Sequence, residues 1–475
     1  MTAAALWTAA EAAEATGGQR VGDWAATGVS IDSRSIAPGD LFVALKGPSF
    51  DGHDFVAAAL EAGAAAAMVD SRPAGLGEDA PLLLVDDTLA GLWALGRAAR
   101  ARSEARIAAI TGSVGKTGTR AALQRCLSAQ AETAASMASF NNHWGVPLSL
   151  ARMAPSAHYG VFELGMNSPG EIGPLSRLVR PEVAVITTIE PVHLEFFDNV
   201  LQIADAKAEI FEGIAPGGVA VLNRDNAFFP NLLETAEARG VGRVISFGRH
   251  PEADVRLLDC SLHATCSAVR AWIKDRELDY CLSLPGEHWV INSLAVLAAA
   301  CALGADVGAA AAELARLEPL KGRGERHSVD CEGGSFLLID ESYNANPASV
   351  RAALEVLSRT EVRGEGRRIA VLGDMLELGP ESAQRHANLA EAVEAGGIDL
   401  VYSCGKDMAA LHEALPKSRR GAHAPDSAAL ATIVTTAIGP GDAVMVKGSL
   451  GSRMAVVVEA LMQPTCPPLR AANGD

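Results

Sequence analysis

The segment ITGSVGKTGT, residues 110–119, follows the apolar run IAAI and leads into TRAALQRCL, a good helix former. Strand, glycine loop and helix in that order are what phosphate binding requires. Gly112 and Gly115 let the backbone turn tightly and aim N–H groups, that of Ser113 among them, at an anion. Lys116 reaches toward terminal phosphates, and the Thr117 hydroxyl is placed to help hold Mg²⁺. Full Walker spacing asks for glycine where this chain has Ile110, so the loop is a shortened variant. A glycine turn that happens to carry Gly-Lys-Thr is the alternative, but it does not explain why strand and helix both fall where the chemistry needs them.

Outward from this loop the chain keeps the same rhythm. HYGVFELG, PEVAVITTI, GGVAVLN and RVISFG read as strands separated by helical or polar segments, the pattern of a parallel α/β sheet covered by helices. Residues 252–285 read instead as short antiparallel strands. Upstream, ALWTAAEAAEAT is helical by composition, DLFVALKG is a strand closed by a turn, and a helix around Ala94 to Arg102 ends near a boundary at 100–106. Downstream, PLKGRGERH at 319–327 marks a second change. After it, SFLLIDESYNANP, RIAVLGDMLELG, IDLVYSCG and DAVMVKGS supply four further strands. The expected fold is α/β in three domains: 1–105, a central P-loop parallel-sheet domain at 106–320, and a Rossmann-like C-terminal domain at 321–463. Residues 464–475 read as a loose tail.

Composition narrows the function classes. The chain has 475 residues, 49% of them apolar, with 40 basic against 57 acidic side chains and a formal charge of −17. That balance argues against a general grip on nucleic acid or on an anionic membrane, while leaving room for a small anionic substrate. The eight cysteines, at 126, 260, 266, 281, 301, 331, 404 and 466, form no CxxC pair and read as reduced cytosolic thiols. The N-terminal segment lacks the basic region of a signal peptide. The alanine-rich stretch from Ser293 is broken by Asp306 and reads as a packing helix rather than a membrane span. The expected location is the cytoplasm, and a monomer is the default.

Three further residues carry possible chemistry. Glu163 ends the apolar strand of VFELG, and His193 lies just after another strand in TTIEPVHLEFF. A carboxylate oxygen and a neutral imidazole can both join a metal shell, although Mg²⁺ prefers oxygen. From spacing alone, a strand-end glutamate and a loop histidine without a metal role fit equally well. Lys207 falls on the apolar face marked by Val200, Ile203, Ile210 and Ile214. Snorkelling is the ordinary outcome for such a lysine. The sharper reading is burial beside phosphates and metal, where a neutral amine can take up carbon dioxide as a carbamate.

These motifs, in this order, resemble the Mur ligase family over nearly the whole chain. TGSVGKT is similar to the family's ATP loop. VFELGM, IEPVHLEFF and AKAEIF resemble its metal and lysine motifs, and LPGEHWVINSLA, PLKGRGER, IDESYNANPAS, VLGDMLELG and VKGSLGSRM follow. SYNANP followed by LGDMLELG resembles the branch that adds D-alanyl-D-alanine to UDP-N-acetylmuramoyl-tripeptide, and DSRSIAPGDLFVALKG resembles that branch's UDP-substrate domain. The resemblance implies an ATP-dependent amide-bond ligase working through an acyl phosphate. It implies ATP as co-substrate, Mg²⁺, a carbamate on Lys207, and no nucleic-acid partner or membrane insertion. It places Lys116, Lys207, His193 and Arg323 in catalysis, and Thr117, Glu163, His193 and carbamylated Lys207 around metal. Asn292 would meet adenine and Glu341 the ribose or a phosphate-linked position; many relatives have aspartate at the latter. Ser33, Arg34, Phe50, His53, Asn141 and Asn142 would face the UDP substrate side. Tyr343, Asn344, Asn346, Lys447, Ser449 and Arg453 would finish the ATP and dipeptide sites, although each could instead be a cap or a surface contact. Gly118 departs from the Thr or Ser often found after Gly-Lys-Thr, which implies altered loop packing rather than lost ATP binding. Another member of the family, a folylpolyglutamate synthase, and a nucleotide-driven binding switch remain as competing readings.

Overall fold

The computed structural model describes residues 5–137, 140–192 and 194–463. They form two compact units. One comprises Met1–Thr188, Ala204–Phe247 and Ala295–Ala310; the other comprises Ile189–Ile203, Gly248–Leu294 and Ala311–Asp475.

The first unit is built on two sheets. In the larger, the strand Arg106–Thr111 lies between Tyr159–Glu163 and Val183–Ile186, with Thr133–Ala135 beyond the former and Val219–Asn223 and Arg243–Gly248 beyond the latter. All these pairings are parallel. Between their ends the central strands are apolar and buried because both faces are covered. Since the chain leaves Arg106–Thr111 first toward one edge and later toward the other, the carboxyl end of that strand is a topological switch point, where such sheets bind ligands. The register sets Glu163 beside Ile110 and Thr111 beside Ile186, so three strand ends finish level at that point.

The smaller sheet runs Gln19–Val21, Leu82–Leu84, Ala66–Val69, Asp40–Val43, Gly28–Ser30, antiparallel at the first pair and parallel thereafter. The N-terminal helix is shorter than its composition predicts. Trp7–Thr8 pairs antiparallel with Ala25–Ala26, and the helix spans only Ala9–Thr16. The reason is local: the Thr8 hydroxyl accepts from the Glu11 N–H while Glu11 accepts from the Thr8 N–H, a reciprocal cap that starts the helix there.

The core of this unit runs across residue 105 without interruption. Leu92, Leu95 and Ala99, on the helix Thr88–Ala101, share one buried cluster with Trp7, Leu41 and Met68 and with Leu148 and Ala151 of the helix Gly145–Ala151. The buried Arg100 guanidinium donates to the carbonyls of Val179 and Arg180 and to Glu182, at 2.8–3.0 Å. Those three acceptors offset the cost of burying its charge.

The second unit contains the antiparallel strands Val255–Leu262, Ser267–Ile273 and Arg276–Leu282, as the alternation of residues 252–285 predicts. It also contains a six-stranded sheet. The four expected strands are present as Gly334–Glu341, Arg368–Gly373, Leu400–Cys404 and Ala443–Lys447. Two more were not expected: Glu325–Cys331, antiparallel at one edge, and Arg420–Ala424, parallel at the other. Both are edge strands in which half-exposed positions outnumber buried ones, so their apolar signal is weak. The alanine-rich stretch forms the helices Glu287–Ala302 and Val307–Leu314, separated around Asp306. Among the described residues, no helix is long and apolar enough to cross a membrane.

Candidate active site

The phosphate loop joins Arg106–Thr111 to the helix Lys116–Ser128. Gly112 has φ 145°, and a Cβ there would run into Thr187 Oγ1. Gly115, at φ 85°, is the left-handed N-cap from which the helix departs. Two neighbours hold the loop in this shape. The Ser113 N–H donates to the Thr188 carbonyl at 2.8 Å, and Thr187 Oγ1 donates to the Val114 carbonyl at 2.5 Å. Lys116 Nζ donates to the Gly112 carbonyl at 2.7 Å, lying across the loop it would serve. Thr117 is buried in the first turn, where the helix dipole favours an anion. Gly118 is accommodated inside the helix without interrupting it.

Glu163 is only 1% exposed. Its Oε1 accepts from Asn141 Nδ2 at 2.8 Å, while the buried Oε2 has no hydrogen-bond partner among the described residues. A buried carboxylate oxygen left unsatisfied is costly and calls for a donor or a cation. The strand-end surface glutamate allowed by spacing alone is therefore not what the fold makes.

Lys207, near the end of the helix Val200–Ala208, is 2% exposed and does not snorkel. Burial pushes its ammonium well below the usual lysine range, and the positive charge of Lys116 acts in the same direction. The amine is thus held toward its neutral form, the nucleophilic one. His193 lies outside the described residues, as does the tail at 464–475.

On the putting-together of the smaller sheet's surface, Asp32 anchors the turn Ser33–Ser35, accepting from the Arg34 backbone and from its guanidinium at 2.9 and 2.7 Å. The Arg34 side chain remains 87% exposed. Phe50 is exposed and meets Trp144 edge-on, with ring centroids 6.3 Å apart. His53 sits between two acids: its Nε2 accepts the Asp70 N–H at 3.1 Å, so the proton on Nδ1 is donated to Asp51 at 2.6 Å. Asn142 is a cap, its oxygen accepting from the N–H groups of Trp144 and Gly145.

The second unit gathers most of the remaining candidates around the end of the strand Gly334–Glu341. Lys447, 4% exposed, pairs with Glu341 at 3.1 Å and donates to the Asn344 carbonyl at 3.0 Å. The Arg323 guanidinium lies over the Tyr343 ring, 4.2 Å from its centroid. Ser449 Oγ donates to the Ala345 carbonyl and accepts the Leu376 N–H. Asn346 caps the helix Pro347–Ser358 reciprocally with Ser349. Arg453 is exposed at φ 55°, and Asn292 is half-buried on the helix Glu287–Ala302.

Two residues that shape the first-unit site lie inside quoted motifs but have no role readable from them. Thr187 is part of the quoted TTIEP run, and its position one residue past a strand beside the phosphate loop was the available signal. Glu209 accepts the N–H groups of Gly170, Ile172 and Gly173 at 2.6–3.1 Å, capping the helix Ile172–Val179 from elsewhere in the chain. The AKAEIF motif contains Glu209, but nothing in the sequence says which distant N–H groups its carboxylate accepts.

Three family models match the chain: "Mur ligase family, catalytic domain" at residues 25–85, "Mur ligase middle domain" at 110–300 and "Mur ligase, glutamate ligase domain" at 322–450. The UDP-N-acetylmuramoyl-tripeptide–D-alanyl-D-alanine ligase of Escherichia coli (strain K12) is 37% identical over 437 residues, 92% of this chain and 93% of that protein. The protein of the same name from Bacillus subtilis (strain 168) is 33% identical over 440 residues, 92% and 93% of the two chains. Among solved structures, MurF from Acinetobacter baumannii superposes with a TM-score of 0.82 at 31% identity, covering 96% of this chain and 98% of that one. The MurF ligase from Thermotoga maritima in complex with ADP gives 0.74 at 27% identity, covering 92% and 97%.

Proposed function

The chain belongs to the Mur ligase family, and from that premise we infer that it is the ATP-dependent ligase joining D-alanyl-D-alanine to UDP-N-acetylmuramoyl-tripeptide. Its products are the pentapeptide precursor of peptidoglycan, ADP and phosphate. The observation that carries the chemistry is the P-loop at the switch point with a buried, half-satisfied Glu163 one strand away.

A carboxylate does not form an amide with an amine unaided. The tripeptide's terminal carboxylate attacks the γ-phosphoryl group of ATP, and the resulting acyl phosphate is attacked by the dipeptide's amine, releasing phosphate. We assign Gly112, Ser113, Gly115 and Lys116 to the phosphates, where loop N–H groups and the ammonium offset charge on the transferring oxygens. Arg323 stabilises the same charge, and Asn292 and Glu341 serve the nucleoside. Thr117 and the orphaned Oε2 of Glu163 are hard oxygen donors that would hold Mg²⁺, and by the family resemblance His193 and a carbamate on Lys207 would join them. The chemistry that ion supplies when bound is neutralisation of phosphate charge. Lys207 adds carbon dioxide at its amine with loss of a proton, becoming an anion; its burial and depressed basicity support this.

Ser33, Arg34, Phe50, His53, Asn141 and Asn142 serve the UDP-substrate side, and Tyr343, Asn344, Asn346, Lys447, Ser449 and Arg453 the ATP and dipeptide sites. Domains at 1–105, 106–320 and 321–463, a monomeric state and a cytoplasmic location complete the reading; a nucleotide-linked substrate and ATP are supplied there.

The test offers purified protein Mg-ATP and UDP-N-acetylmuramoyl-tripeptide with D-alanyl-D-alanine, meso-diaminopimelate, lysine or glutamate in turn. Phosphate release with a mass gain equal to the condensed dipeptide, and with no other nucleophile, is expected. ATP turnover with a different adduct moves the protein to another branch of the family.

A further inference from the structure

In the second unit the strands Gly334–Glu341, Ala443–Lys447 and Arg368–Gly373 run parallel, and the register sets Lys447 beside both Glu341 and Leu372. Their carboxyl ends therefore finish level, at the edge where parallel sheets hold ligands. A few bonds knit the loops that leave them. The Ser449 N–H donates to the Asp374 carbonyl at 3.0 Å, while Ser449 Oγ accepts the Leu376 N–H at 2.9 Å and donates to the Ala345 carbonyl at 3.1 Å. The Asp374 carboxylate is fixed in turn by the Met408 N–H at 2.7 Å. Between Asp374 and Leu376, the Met375 N–H donates to Nε2 of His386 at 2.9 Å, and both residues are fully buried. Glu377, two residues further on, has φ 63°, a left-handed conformation that a side chain other than glycine holds only where its surroundings impose it.

His386 lies on the helix Ser382–Ala387. A backbone N–H can only donate, so Nε2 is bare and the ring proton sits on Nδ1, which donates to the Ser382 carbonyl at 2.7 Å. The Ser382 hydroxyl turns instead to Asp407, at 2.6 Å. One tautomer thus satisfies both contacts, and no step of ligation uses the ring. We propose that His386 is a positioning residue for the ligase reaction: through the Met375 N–H it holds the strained loop at 374–378 in the form that presents Ser449 to substrate. The assignment rests on the ligase reading above, in which Lys447 and Ser449 serve the ATP and dipeptide sites. Without the Nε2 acceptor a buried N–H is left unpaired, and loop conformers that turn it toward water become competitive. Those conformers release Leu376 from Ser449. A substrate that needs the ordered loop then binds only the ordered fraction, so its apparent affinity falls by that fraction while the rate at saturation is kept.

The experiment compares the full chain with His386→Gln, which sets a carboxamide oxygen near the place of Nε2, and His386→Met, which fills similar space with no comparable acceptor. Hydrogen exchange at the Met375 and Leu376 amides reads the anchor without reference to the reaction. It should quicken about 10- to 100-fold in His386→Met, the range set by one buried N–H without an acceptor, and stay near the parent in His386→Gln. Parental exchange across the first unit shows that each variant is folded. With saturating Mg-ATP and UDP-N-acetylmuramoyl-tripeptide, KM for D-alanyl-D-alanine should rise by a similar factor in His386→Met, with kcat within about threefold of the parent. His386→Gln should recover most of that loss. If the parent forms no dipeptide adduct, the ligase reading has failed, and the exchange data still judge the anchor separately. Should His386→Met not fold, His386→Asn, too short to reach Met375, replaces it under the same criteria. Equal behaviour of the Met and Gln variants, quickened exchange with a dipeptide KM within about twofold of the parent, or a fall in kcat at unchanged KM, the mark of a smaller folded fraction, would overturn the proposal.

Discussion

A lysine that is 2% exposed, with another lysine's charge acting on it, is a destabilising feature unless something else uses it. Lys207 therefore yields a paired prediction. Lys207→Met should abolish ligation, yet raise the thermal midpoint of the ligand-free protein by a few degrees, roughly what 1 kcal/mol gives. The pH dependence has a definite sign. The folded-state pKa lies below the unfolded value of about 10.4, so between the two the unfolded chain binds more protons and parent stability rises with pH. In carbon-dioxide-free buffer, that slope should be present in the parent and absent from Lys207→Met; parallel profiles would show that the amine is not held neutral. Sequence periodicity placed Lys207 on the apolar face, where snorkelling is the ordinary outcome and functional burial the sharper alternative. Only the packing around its Nζ decides between them.

Individual elements here depend on contacts their own sequences do not announce. Gly112→Ala would drive a methyl group into Thr187 Oγ1, the hydroxyl that ties down the Val114 carbonyl. ATP affinity should fall at least about tenfold, since a shift in the loop displaces several phosphate donors together. Isothermal titration with a non-hydrolysable ATP analogue reads this directly, and the companion Thr187→Gly should recover part of the loss by removing the obstruction. Glu209 is a second case. Its carboxylate takes three backbone N–H groups at the start of Ile172–Val179. Glu209→Ala should cost about 1–3 kcal/mol in urea unfolding with little change in slope; an unchanged midpoint would mean those donors find water instead. The reciprocal cap at Thr8 and Glu11 was in principle readable, being three residues apart, whereas Glu209 and Gly170 are 39 residues apart.

For the molecule as a whole, ligand binding and stability are linked by mass action. An ATP analogue with Mg²⁺ at about 100 times its Kd should add roughly 2.7 kcal/mol to the unit that binds it. Differential scanning calorimetry should show the larger shift in the transition of the first unit, which carries the P-loop. An equal shift in every transition would mean either that the units unfold as one or that Asn292, Arg323 and Glu341 of the second unit hold the nucleotide as strongly as the P-loop does. The same unit shows how far sequence reading extends. The P-loop, the alternation around it and four of the six strands in the second unit's sheet were legible because each depends on local pattern: a glycine where the backbone must turn, apolar runs where both faces are covered. The sequence by itself also determined the family, since ordered motifs along most of the chain are a one-dimensional property. The tertiary structure alone decided that one core crosses residue 105, that Arg100 is buried among the Val179, Arg180 and Glu182 acceptors, that Glu163 keeps an unsatisfied oxygen, and that Ser449 ties the loop at Leu376 to Ala345. Burial and mutual distance come from packing between residues far apart in the chain, and no local pattern encodes them.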